Sequence, residues 1–186
     1  MNMSQSNAKS SLFNHSKLST RKLVLAAIFV AMSIVLTRIG SIMLFGGAVR
    51  FGFGRVPIVL SSILLGPLAG GLTGFVSDVI GFMLNPMGGA FHPGFTLSST
   101  LTGIIPGLVV AIASKNKFSL LNITIANVLV SLIVSLGLNT LWLTQIVGRA
   151  FFVLLPWRIV SSGILTVVSI FIIFTLSKYF KHVKVS

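Results

Sequence analysis

Apolar residues run along this chain in blocks about as long as a bilayer crossing, punctuated by short clusters of Gly, Pro and basic residues. A span needs roughly 20 mostly apolar residues, and six blocks meet or approach that length. The first covers about Leu18 to Thr37, behind a polar leader rich in Ser and Asn. That leader is long for a signal peptide and no small-x-small cleavage site follows the run, so the block reads as a retained helix. Val56 to Leu84 is too long for one span and is broken at Gly66-Pro67, a turn signal with a helix-starting proline. Its second half, Leu68 to Leu84, can just cross. Its first half, Val56 to Leu65, rises only about 15 Å as a helix. Either it recruits Phe51–Arg55 or it is a half-helix, and interrupted, Gly-rich segments are where transporters build sites. Asn85 to Gly94 reads as a loop, and a fourth helix runs from about Thr96 to Ala113 with a kink expected at Pro106. After the polar turn Lys115-Asn116-Lys117, a fifth helix spans about Leu120 to Leu143 and a sixth about Trp157 to Leu176. The expected fold is all-α: a six-transmembrane-helix bundle forming one membrane domain over residues 18–180, with a polar tail at 1–17 and a basic tail at 181–186.

Composition sharpens this picture. Of 186 residues, 54% are hydrophobic and 8% charged, about a third of the charged fraction of a soluble domain. A net charge of +13 would point to nucleic acid in a polar chain. With a mean hydropathy of +1.04 the bases belong in or beside a bilayer instead. Their distribution orients the bundle. Lys9, Lys17, Arg21, Lys22, Lys115, Lys117, Lys178, Lys181 and Lys184 fall on one side, every lysine among them, and the positive-inside rule makes that side, with both termini, cytoplasmic.

The opposite side carries Arg38, Arg50, Arg55, Arg149 and Arg158. Lipid anchoring alone explains any one of them by snorkelling, but gives no reason for all five to be Arg. Planar, bidentate recognition of carboxylate or phosphate does. On loop 38–55, loop 145–156 and the starts of the second and sixth helices, they are expected to form an electropositive mouth for an anionic ligand. Asp78, the single acid, lies about two turns below the external end of the third helix, as a ligand group or the partner of Arg50 or Arg55. His92, Phe95 and Thr96 share the segment Phe91-His92-Pro93-Gly94-Phe95-Thr96, and loops of this kind build sites. Phe51, Phe53, Phe91, Phe95 and Trp142 are placed to sandwich a flat heterocycle, and Asn139 lies one turn before Trp142 on the same helix. One acid rules out paired-carboxylate catalysis, and the lack of cysteine rules out thiolate metal sites and cysteine nucleophiles. No catalytic residue, metal ligand set or cofactor is expected. Gly52-Phe53-Gly54-Arg55 has neither the spacing nor the Lys-Ser/Thr of a P-loop, so any energy from ATP must come from outside the chain.

On the cytoplasmic half of the first helix, Ala27 and Ala31 form a small-xxx-small pair that lets another helix approach closely. The run Arg50-Phe51-Gly52-Phe53-Gly54-Arg55-Val56-Pro57-Ile58, then Leu65-Gly66-Pro67, then Gly74 with Asp78, resembles the S components of energy-coupling factor (ECF) vitamin transporters. Phe91-His92-Pro93-Gly94-Phe95-Thr96-Leu97, followed by Gly103-Ile104-Ile105-Pro106-Gly107, is similar to the folate-specific members. The resemblance covers about Lys22 to Lys178. It implies a multi-pass protein of a bacterial cell membrane that binds its vitamin at the external side. It also implies docking through Ala27 and Ala31 onto a transmembrane coupling subunit, and two ATPases that drive delivery. Folate suits the residues, since its glutamate carboxylates match arginines and its pterin suits aromatic stacking. Another anionic vitamin with an aromatic ring would satisfy them too. A membrane enzyme such as a lipid-phosphate transferase needs clustered acids or a base beside a nucleophile, and a structural or channel-like subunit leaves the arginines unexplained.

Overall fold

The computed structural model describes residues 20–39, 42–44, 49–86, 91–113, 118–148 and 151–180. They form six helices and one short ribbon: α1 (Thr20–Arg38), β1 (Ile42–Leu44), β2 (Val49–Phe51), α2 (Arg55–Leu65), α3 (Pro67–Leu84), α4 (Pro93–Ile112), α5 and α6 (Phe151–Phe180). α5 starts at Leu120 and ends at Val147, with a wider π-helical stretch, Val130–Leu138, at its centre. Five of the helices are long and apolar enough to cross a membrane, not six. α2 is the exception. At 11 residues it rises about 16 Å, so the half-helix alternative holds.

Other boundaries also move. The segment expected as a plain loop between the first two helices contains an antiparallel ribbon, with Met43 opposite Arg50. Ile42-Met43-Leu44 and Val49-Arg50-Phe51 flank Gly46-Gly47, a pairing of β-forming residues and turn residues that favours a hairpin. The described fold is a helical bundle, with this one short ribbon in the connection between α1 and α2. α6 begins at Phe151, ahead of the expected Trp157, and includes Pro156 in its second turn, at the loss of one intrahelical hydrogen bond. α4 likewise starts on Pro93, pre-set for a first helical position.

Although short, α2 is the centre of the bundle. It packs against α1, α3, α4 and α6, and Val59, Leu60 and Ile63 meet Phe29, Ile123 and Ile173 in the core. α3 and α4 make the most extensive pairing, and glycine permits it. A Cβ on Gly74 would lie against the carbonyl of Ser99, one on Gly103 against that of Gly70, and one on Gly107 against Pro67. Gly70 and Gly74 on α3, and Gly103 and Gly107 on α4, are thus paired small-xxx-small faces. Ser62 Oγ donates to the Gly103 carbonyl at the same crossing. The outward faces carry large apolar side chains such as Leu23, Leu72, Phe75, Ile112 and Phe171, as a helix surface facing lipid requires.

Candidate ligand-binding site

Side chains link the helix ends on one side of the bundle. Arg38, at the end of α1, donates from Nη1 to the Asn85 carbonyl at 2.6 Å. That carbonyl belongs to the C-cap of α3, the negative end of the helix dipole. The arginine reaches it over Gly81, where a Cβ would come within 3.0 Å of Nε. It also feels the Asp78 carboxylate one turn away. Asp78 Oδ2 accepts from Thr96 Oγ1 at 2.8 Å, which ties α3 to the first turns of α4. On the other face of α4, Trp142 Nε1 donates to Ser98 Oγ at 3.2 Å. The His92 ring lies 5.4 Å from that of Trp142 and 5.8 Å from that of Phe95. The rim therefore runs from α1 through α3 and α4 to α5, with a carboxylate on one face of α4 and an aromatic group on the other.

Below the rim, α5 turns a polar stripe inward: Asn127, Ser131, Ser135 and Asn139 at four-residue steps, then Trp142. The π-helical stretch shapes it, because its wider turn leaves the Ser135 carbonyl open to side chains. Arg158 Nη2 donates to that carbonyl at 3.2 Å, and Thr140 Oγ1 at 3.4 Å. Arg55 Nη2 donates to the Asn127 carbonyl at 2.7 Å. Four buried polar atoms have no hydrogen-bond partner among the described residues: Arg38 Nε, Arg55 Nε, Arg158 Nε and Asn139 Oδ1. Leaving such groups unpaired in a dry interior is costly. Three donors on cations and one amide acceptor are what an anionic, hydrogen-bonding ligand would complete.

Asp78 with Thr96, and His92 with Phe95 and Trp142, are brought together from candidates the sequence offers singly, and Arg38 lies near Asp78, where the sequence pattern points to Arg50 or Arg55. Arg55 is not at the rim. It opens α2 inside the bundle and reaches α5 only about two turns from Leu120, as a strut between helices, and the charge near Asp78 is that of Arg38. Arg158 and Asn139 sit on the stripe below the rim. The side chain of Arg50, and Arg149 as a whole, lie outside the described residues. Sequence reasoning passed over Asn85, Ser98, Asn127, Ser135 and Gln145. The last three were legible only as members of the four- and three-residue spacing that includes Asn139 and Trp142. A shallow apolar groove of about 330 Å³ lies apart from this polar site, between Leu68, Leu72 and Phe75 of α3 and Ile104 of α4.

Membrane-length helices around a buried half-helix, with buried guanidinium N–H groups left unpaired among the described residues, define a membrane subunit with polar groups free to hold a solute. Residues 17–181 match the family model of the ECF-type riboflavin transporter S component, and the chain belongs to the S components of ECF transporters. It is a transport subunit, not an enzyme. The folate transporter FolT of Clostridium novyi (strain NT) is 35% identical over 143 residues, 77% of this chain and 80% of the relative. The folate transporter FolT of Leuconostoc mesenteroides is 34% identical over 137 residues, 72% of this chain and 69% of that one. A crystal structure of FolT bound with folic acid superposes with a TM-score of 0.75 at 26% identity, covering 87% of this chain and 95% of that one. The S component of a bacterial ECF transporter shares the fold at a TM-score of 0.61 and 23% identity, over 87% and 98% of the two chains.

Proposed function

We propose that this chain is the high-affinity folate-binding subunit of an ECF importer. The observation that carries the reading is the pair of unpaired arginine Nε groups, Arg38 at the rim and Arg158 below it, with Asp78, Phe95 and Trp142 on the same rim. Folate brings two carboxylates for the guanidinium groups of Arg38 and Arg158, with Arg50 on the adjoining ribbon. Its pterin is a flat ring with several N–H donors, matched by Asp78 and Asn139 and by the His92, Phe95 and Trp142 side chains. Thr96 orients the Asp78 carboxylate. Riboflavin, named in the family model, carries no carboxylate and leaves the arginines unanswered. The folate transporter relatives agree with the first ligand. Titrating purified protein with each vitamin tests this. Folate is expected to raise the thermal midpoint with dose, riboflavin is not, and the reverse order overturns the assignment.

In the same reading the chain makes six passes, the second formed by the ribbon and α2 together. Both termini are cytoplasmic, and a single membrane domain spans residues 18–180 of a bacterial cell membrane. Ala27 and Ala31, exposed on α1, dock a transmembrane coupling subunit whose two ATPase partners power release.

A further inference from the structure

Gln145 lies one turn beyond Trp142 on α5, shortly before the left-handed Gly148 (φ +67°) that ends the helix. Its Oε1 is 3.2 Å from His92 Nε2. The other ring nitrogen, Nδ1, accepts from the Gly94 amide at 3.1 Å, which makes His92 the N-cap of α4. A neutral imidazole has one N–H and one lone pair. With the lone pair committed to Gly94, the proton belongs on Nε2, from which it donates to Gln145 Oε1. The Gln145 amide therefore selects the tautomer that allows His92 to cap α4. Trp142 packs onto the same turn, since a Cβ on Gly94 would collide with its indole. Phe95 meets the imidazole edge-on at 68°.

We propose that Gln145 is a positioning residue of the binding site. Through His92 it sets the geometry of the aromatic slot formed with Phe95 and Trp142, without itself touching the ligand. This rests on the folate reading for its binding measurement and on the described geometry for the rest. His92→Asn keeps an N-cap acceptor but removes the ring, and gives the background that isolates the effect. Gln145→Leu is expected to weaken folate binding about tenfold in the natural chain, the factor for one lost hydrogen bond. In the His92→Asn background it is expected to weaken binding no further. Gln145→Glu, which retains an acceptor oxygen, is expected to recover most of the affinity. Equal losses from Gln145→Leu in both backgrounds, or no loss in either, overturn the proposal. A ligand-free measurement separates it from the folate reading and needs no Gln145 variant. In histidine-15N spectra of the natural chain, the resonances absent from His92→Asn are expected to show a neutral ring protonated at Nε2. The Nδ1 tautomer there overturns the proposal even if folate binds, and failure of folate to bind the natural chain counts against the folate assignment alone.

Discussion

Asp78 is the single acidic side chain in 186 residues, and it is held by a neutral donor, Thr96, with a cation, Arg38, one turn away. Asp78→Asn preserves shape and removes charge, leaving the pterin donors without an ionised acceptor and Arg38 without its counter-charge. Charge-assisted hydrogen bonds contribute about 1.5–3 kcal/mol, so isothermal titration is expected to show folate affinity lower by about ten- to a hundredfold. Arg158→Ala is expected to fall in the same range, and Lys181→Ala, in the basic tail, to match the natural chain. Unchanged affinity in Arg158→Ala would falsify the role given to its unpaired Nε. The residue types of this site are legible in the sequence because an acid, a histidine and arginines are conspicuous in an apolar chain. Depth is not. Arg55 follows a Gly-rich segment and precedes an apolar run, as an interfacial arginine does, yet its helix begins inside the bundle. Nothing local distinguishes the two cases. Ser98 escapes notice for a different reason: a lone hydroxyl near a helix end has no motif until its partner across the bundle is known.

Helix-scale order was readable wherever apolar length and Gly-Pro punctuation set it, as at Gly66-Pro67 between α2 and α3. It was unreadable where pairing decides it. The ribbon exists because two short strands find each other, and the π-helical stretch of α5 is spelled by no residue type in Val130–Leu138. The glycines of α3 and α4 are intermediate. Their spacing is visible, but the backbones they bring together are not. Gly74→Val would force its side chain onto the Ser99 carbonyl, whereas Gly163 on α6 has nothing within 4 Å of a Cβ. Backbone that close has no flexible end to give way, so Gly74→Val is expected to cost at least the ~1–3 kcal/mol typical of overpacking. Gly163→Ala is expected to be neutral or slightly stabilising through helix propensity. Thermal unfolding in detergent distinguishes the two. Equal midpoints would mean that α3 and α4 can separate without loss, contrary to the close pairing around Gly70 and Gly103.

At the scale of the whole molecule, the polar rim lies at the Arg38 end of α1, whereas Ala27 and Ala31 lie on an exposed face around the middle of that helix. If that face docks the coupling subunit, as proposed, capture and delivery are expected to be separable by substitution. The chain lacks cysteine, so Ile146→Cys at the far end of α5 and Ser119→Cys just before it report topology directly. A membrane-impermeant maleimide added to intact cells is expected to label the first and not the second, and the opposite pattern inverts the orientation. With the rim outside, Ala27 and Ala31 straddle the middle of α1, exposed and one turn apart, and Ala31 is about 10 Å along the helix from Arg38 at its end. Close helix approach in lipid depends on small side chains, so Ala27→Trp or Ala31→Trp holds a partner helix away without reaching Asp78, Trp142 or Arg158. The purified variants are expected to bind folate as the natural chain does. In cells expressing the coupling subunit and its ATPases, they are expected neither to co-purify with those partners nor to support uptake. If they assemble and transport, α1 is not the docking face, while the folate site stands on its own measurements. If they lose folate binding in isolation, α1 is coupled to the rim through Arg38 more tightly than its bond to the Asn85 carbonyl requires.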